Sequence, residues 1–276
     1  MRQSRARRNG RPTSFGVGWD NAAYLVDGRA LFRFPRRRVA TRLLERKIAI
    51  LPMLARALLL AISAPSYVGR ATEAYPYVFA GYDFIAGTAG CSVHLSHDAR
   101  AALAQPLGTF LRALHGIDPA PLVTRGLPPD EIGRLDHARR MKLAHERVPS
   151  LTDDGNVANT GIAAETILRT VAWLDAHPPR TIALGERRCV HCDLYARHVV
   201  VGADLRAVGI IDWGDMHLGD PAIDLAIAHS MLPPDAHAAF RSAYGAISSE
   251  AWACAHACVP PCVPASLLPC AGSGAA

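Results

Sequence analysis

Apolar positions near the N terminus recur at short spacing, and further on they recur at helical spacing. Between residues 13 and 38 the apolar runs Ala23-Tyr24-Leu25-Val26 and Ala30 to Phe34 flank a turn signal at Asp27-Gly28. That pattern predicts a β-hairpin or meander ended by Pro35. From residue 39 to 60, Leu43, Leu44, Ile48, Leu51, Leu54 and Leu58 fall on one helical face. They predict a long amphipathic helix bent at Pro52. At roughly 100° per residue, Lys47 sits in the middle of the apolar arc and Glu45 outside it. Strand-like runs return at residues 66–68 and 75–84, so strands, one helix and further strands make a small sheet-based lobe at residues 13–85.

After Gly87 and Gly90 the period becomes helical, with helices predicted over residues 99–115, 131–147 and 163–175. Residues 86–250 then form a second, mainly helical lobe, joined to the first by a connector at residues 83–90. A further hairpin is predicted inside it: Val199-Val200-Val201, a turn at Gly202-Ala203-Asp204, and a strand over residues 207–211 that ends at Asp212. Antiparallel pairing sets His198 opposite Asp212, so Asp193, His198 and Asp212 converge. The fold class is α+β, in two lobes.

Composition narrows the functional classes. Half of the 276 residues are hydrophobic and 20% are charged, enough apolar material for buried cores. The longest apolar stretch, residues 48–63, is broken by Pro52 and Arg56 and falls short of the roughly 20 residues of a membrane span. The net charge is +6, but the first twelve residues hold five arginines and leave +1 for the other 264. Those twelve residues predict a basic, solvated arm with no stacking aromatics, not a nucleic-acid module. With no apolar run following the arm, they do not predict a signal peptide, and the expected location is the cytoplasm. Seven cysteines, an odd count, argue against a secreted disulfide scaffold. Residues 251–276 change to Cys, Pro and Ala, and their prolines predict coil.

Two carboxylates and an imidazole at the open end of a hairpin suit phosphoryl transfer, in which one carboxylate holds a nucleotide-bound cation and another accepts a hydroxyl proton. Asp193 is the candidate base and Asp212 the main cation ligand. The pattern resembles the aminoglycoside and macrolide phosphotransferases, antibiotic kinases with a protein-kinase-like fold, and lies nearer their macrolide-kinase-like branch. Their His-Gly-Asp motif followed after four residues by Asn or His is matched by His191-Cys192-Asp193 and His198. Their Ile-Asp-Trp-Gly, Gly-Asp-Pro and Asp-Leu-Ala signatures are matched at residues 211–214, 219–221 and 224–226.

The resemblance implies that Asp193 is the catalytic base, that His198 and Asp212 hold Mg²⁺, or Mn²⁺ given the imidazole, and that Arg33 replaces the strand lysine against the phosphates. It also implies a nucleotide loop at Gly18 and Asn21, and an adenine- or guanine-binding connector at Tyr82, Phe84 and Ile85. The implied reaction moves the γ-phosphate of ATP or GTP to a hydroxyl of an antibiotic-like compound or metabolite. The alternative is a nucleotide-binding member without phosphotransfer, which three departures from the family favour. Lys47 stands where the family has glutamate and faces Arg33 with the same sign. Cys192 stands for a glycine, where a side chain crowds the loop or strains its backbone, and the tail is atypical. No acidic excess for a polycationic acceptor shows in residues 125–180, which hold eight acids and eight bases.

Overall fold

The computed structural model describes residues 11–18, 21–131, 133–134, 136–153, 163–176, 178 and 181–258. The first lobe is a five-stranded antiparallel sheet of β1 (Pro12–Val17), β2 (Asn21–Val26), β3 (Ala30–Pro35), β5 (Pro65–Gly69) and β6 (Phe79–Asp83), ordered β1-β2-β3-β6-β5. The predicted turn between β2 and β3 is present. Asp27 and Gly28 both lie at positive φ, as a tight hairpin turn requires.

Helix α1 (Arg38–Ala57) carries Pro52 inside it and ties the lobes together. Leu44, from its first half, packs with Ala80 and Tyr82 of β6 in a small cluster of its own. Ile50, Leu51 and Leu54, from its second half, belong to the main core with Phe110, Leu111 and Trp213. Lys47 lies between these two sets, on the inward side, while Glu45 is exposed.

A second sheet pairs β7 (Thr88–Ala89), β9 (Val199–Val201), β10 (Ala207–Ile210) and β4 (Ala61–Ile62), the last running parallel to β10. The predicted 199–211 hairpin is antiparallel, with Ile210 opposite Val199 and the Ile211 N–H bonded to the His198 carbonyl at 2.9 Å. β8 (Arg188–Val190) pairs with β11 (His217–Gly219).

Around these strands pack α2 (His97–Ala101), α3 (Ala104–His115), α4 (Ala120–Thr124), α5 (His137–Leu151), α6 (Ala164–Ala176), α7 (Ala222–Met231), α8 (His237–Tyr244) and α9 (Ser249–Ala257). The helix predicted over 99–115 is thus divided, with Ala102 and Leu103 between its two pieces. The helix predicted from residue 131 begins only at His137, because the Asp136 carboxylate accepts the Arg139 N–H at 3.1 Å and caps the helix there. Residues 131, 133 and 134 are irregular instead. Gly108 of α3 lets α8 approach closely, since a β-carbon there would lie 2.5 Å from the Phe240 carbonyl oxygen.

The coil predicted from residue 251 is corrected over its first seven residues. Ser248 caps α9 by accepting the Ala251 N–H at 3.1 Å, and Ala251, Cys254 and Ala255 are buried against the lobe. The first proline of the tail, Pro260, comes only after this helix has ended, so the prolines leave it intact. The rest of the predicted tail, residues 259–276, and the arm's first ten residues lie outside the described residues. Among the described residues no helix is long and apolar enough to cross a membrane.

Trp252 of α9 packs on a histidine cluster. His229 has ring centroids 5.0 Å from His237, 4.9 Å from His256 and 4.4 Å from Trp252. Burial, with His237 and His256 close by, pushes His229 down from 6.5 to about 4. The unfolded chain therefore takes up this proton first, and stability falls as pH drops from about 6.5 toward about 4. Urea unfolding across that window is expected to show a falling midpoint, and His229→Gln is expected to flatten the slope.

Candidate active site

The loop between β8 and β9 is built around one buried carboxylate. Asp224, in the first turn of α7, is fully buried. It accepts the His191 N–H at 2.7 Å and the Cys192 N–H at 2.8 Å, and its Oδ2 lies 3.1 Å from His115 Nε2. The other ring nitrogen of His115 is 2.9 Å from the Tyr244 hydroxyl. Burial works against the charged form of Asp224, but the hydrogen bond and charge of His115, with His191, hold its pKa below the ordinary value.

Two bonds then join this loop to the end of β10. The His191 ring, also fully buried, sets Nε2 2.9 Å from the Ile211 carbonyl. A carbonyl only accepts, so Nε2 carries the hydrogen, and Nδ1 is left to accept the Asp193 N–H at 3.3 Å. The Ile211 N–H returns to the His198 carbonyl, and His198 Nδ1 donates to the Asp193 carbonyl at 2.7 Å. With Nδ1 so used, Nε2 is the ring nitrogen turned toward Asp212, 3.5 Å from Oδ2. Trp213, fully buried and bonded through Nε1 to the Ile210 carbonyl at 3.1 Å, anchors the same strand end.

Asp193, His198 and Asp212 thus meet as the sequence predicts. Asp193 and Asp212 line a cleft of about 620 Å³ between the lobes, together with Gly18, Asn21, Arg33, Lys47 and Tyr82. Arg33 lies with its guanidinium carbon 5.8 Å from the Tyr82 ring centroid. Phe84 and Ile85 do not line this cleft. Phe84 packs edge-on against Phe15, with centroids 5.9 Å apart, and Ile85 lies against Gly209 of β10. Trp19 and Asp20 of the predicted nucleotide loop lie outside the described residues.

Two of the three departures from the family pattern take concrete form here. Lys47 does not merely oppose Arg33: its Nζ comes within 3.9 Å of where a β-carbon on Gly214 would sit, beside Asp212. Burial opposes the Asp212 charge, yet Lys47, then His198 and Arg33, hold that carboxyl below its usual range. Two cations of the upper lobe therefore face Asp212. Cys192 adopts φ 68°, a backbone region that glycine enters freely and a β-carbon resists. Its thiol is buried, and burial pushes its pKa up. Cys189 is likewise buried and pushed up to about 12. Both are free, and no group of three or more His, Cys, Asp and Glu among the described residues could hold a metal ion.

A further residue of the site carries no signal in the sequence pattern. Arg134, in the irregular segment before α5, sets Nη2 3.3 Å from Asp193 Oδ1 and also pairs with Asp215. Burial raises the pKa of Asp193, against the opposing pull of Arg134 and His198. Arg134 belongs to no periodic face, and only its position after the Pro128-Pro129-Asp130 turn could have drawn notice.

A two-lobed α+β fold with two carboxylates lining its cleft and an imidazole between them is that of a kinase-like phosphotransferase. A profile of the phosphotransferase enzyme family matches residues 12–258, and the chain belongs to that family. Among solved structures, the chain is similar to the GDP complex of wild-type aminoglycoside 2′-phosphotransferase-IIIa, at 24% identity and a TM-score of 0.64, covering 86% of this chain and 77% of that one. It is also similar to the apoenzyme of a macrolide 2′-phosphotransferase from Brachybacterium faecium, at 23% identity and a TM-score of 0.62, covering 90% and 80%. No curated protein matches the sequence.

Two substitutions are expected to move stability in opposite directions. Asp224→Ala removes the acceptor of three buried donors and is expected to cost about 3–5 kcal/mol in chemical denaturation. Cys192→Gly relieves the left-handed strain and is expected to gain about 1 kcal/mol. A loss on that second change would show that packing of the thiol outweighs the strain.

Proposed function

We propose that the protein is a small-molecule kinase that moves the γ-phosphate of ATP or GTP to a hydroxyl. One observation carries the reading: His198 spends Nδ1 on the Asp193 carbonyl and sets Nε2 3.5 Å from Oδ2 of Asp212, which lines the interlobe cleft. A nitrogen lone pair and a carboxylate oxygen side by side fit a divalent cation that takes its other ligands from phosphate oxygens and water. The nitrogen suits Mn²⁺ better than Mg²⁺. Such a cation would neutralise phosphate charge during transfer.

The remaining steps belong to the chain's own side chains. Arg33 and Lys47 face the triphosphate from the upper lobe, with Gly18 and Asn21 at the nucleotide loop. Tyr82, Phe15 and Ala23 wall the end of the cleft suited to the base. Asp193 orients the acceptor hydroxyl and takes its proton as the oxygen attacks the γ-phosphorus. The bond from the γ-phosphorus to the bridging oxygen breaks, and the nucleoside diphosphate leaves. A raised Asp193 pKa brings the base nearer to neutral pH.

The second reading, a nucleotide-binding member without transfer, draws on the Cys192 strain and the glutamate missing from α1. A single set of assays separates the two. Purified protein with ATP or GTP and Mg²⁺ or Mn²⁺ is expected to release nucleoside diphosphate on addition of an accepted hydroxyl compound from a panel of aminoglycosides, macrolides and small metabolites. Asp193→Ala is expected to abolish the release and leave nucleotide-dependent thermal stabilisation intact. Stabilisation of the unaltered protein without turnover across the panel would favour the second reading. Lys47→Met is expected to weaken nucleotide binding about tenfold, or ~1.4 kcal/mol. A gain of activity on Lys47→Glu would show instead that the lysine only damages a family ion pair.

A further inference from the structure

Beside Asp193, on the lower lobe, lies a second and smaller cavity of about 230 Å³, below the roughly 300–1,000 Å³ of pockets for drug-sized ligands. Arg134 joins it to the nucleotide cleft, since Arg134 lines this cavity and its guanidinium touches the base. A hydroxyl compound that reaches Asp193 from the lower lobe must therefore pass that guanidinium.

The carboxylates of this cavity already have partners in the chain. Among its described lining residues, Asp130 accepts the Gly133 N–H at 2.7 Å, Asp136 caps α5 through the Arg139 N–H, and Asp220 accepts the Ala222 N–H at 2.9 Å. Each of these oxygens serves a turn or a helix start. The cations stand differently. Arg187 lines the wall, and Arg134 holds Asp193 and Asp215 through Nη2 alone, while its shielded Nε has no hydrogen-bond partner among the described residues. Guanidinium is a planar fork with five donors, and a carboxylate matches it with two parallel bonds. Ile182, Leu218 and Ile223 supply a short apolar floor for a carbon skeleton.

Resting on the kinase reading above, we infer that Arg134 selects the acceptor: the cavity takes a small hydroxyl compound bearing a carboxylate, which draws the Arg134 guanidinium away from Asp193 and so exposes the base. The hydroxyl proton then passes to Asp193 as the new oxygen–phosphorus bond forms and the nucleoside diphosphate departs. Without the anion the guanidinium stays on the base, and water is a poor acceptor. Arg134 is a specificity residue of the acceptor site, and the preference lies with a compact anionic metabolite over an aminoglycoside or a macrolide.

The test uses the full chain, with glycerate, gluconate, homoserine and 4-hydroxybutyrate as carboxylate probes. Glycerol, kanamycin and erythromycin are the comparisons. At least one carboxylate is expected to accelerate nucleoside diphosphate release tenfold or more, and the comparisons none. Arg134→Gln is expected to raise the KM for that carboxylate at least tenfold, to leave the KM for nucleotide within twofold, and to lift the basal release to water. Arg134→Lys, which keeps the charge and loses the fork, is expected to fall between. Thermal shift with the carboxylate alone reads acceptor binding apart from turnover. Carboxylate binding that depends on Arg134 in a protein that takes up no nucleotide would sustain the site and refute the kinase reading. Rapid turnover of kanamycin or erythromycin, no response to any carboxylate in either assay, or an acceptor KM unmoved by Arg134→Gln would overturn the inference.

Discussion

The site depends on a carboxylate with no exposure to water. Asp224 has to stay charged in the interior, which is costly unless every oxygen is satisfied. Two consecutive backbone N–H groups and the His115 ring satisfy it. In return the loop from His191 to Asp193 can take only one path, and that path sends Cys192 through a left-handed conformation. The histidine of the loop then reaches the strand that ends at Asp212. Remove this anchor and neither Asp193 nor His198 has a reason to stay where it is.

A second constraint is electrical. The upper lobe brings Arg33 and Lys47 to a cleft whose floor holds Asp193, Asp212 and Asp215. In the kinase arrangement a helix glutamate and a strand lysine neutralise each other. Here both upper positions are cationic, and Asp212 is the acid that answers them. In the proposed function a triphosphate would meet a more positive ceiling, and the floor would keep its anionic groups for a cation. In the same proposal Arg134 adds a positive group on the acceptor side, beside Asp193.

Much of this was legible in the sequence, because local patterns determine it. The Asp27-Gly28 turn, the inward face of α1 with Lys47 on it, and the hairpin that sets His198 across from Asp212 follow from spacing and turn chemistry alone. Where long-range contacts decide, the reading ran short. Which acid answers Lys47 depends on how the lobes face each other, and no periodicity encodes that. Arg134 sits in an irregular segment whose position is set by the Asp130 and Asp136 turn and cap bonds, so it looked like any other surface arginine. Helix α9 was hidden because the prolines that follow it dominate the composition, although Ser248 and the small buried residues after it were a start signal.

The central claim is that His198 and Asp212 share one ion on the bound nucleotide, directly beneath the base. Pulsed electron paramagnetic resonance on Mn²⁺ bound with a non-hydrolysable ATP or GTP analogue tests it most directly. The account predicts hyperfine coupling from one imidazole nitrogen, absent in His198→Asn, with ¹⁵N-histidine labelling shifting the signal. A Mn²⁺–nucleotide complex that lacks nitrogen coupling, or that keeps it in His198→Asn, would contradict the account.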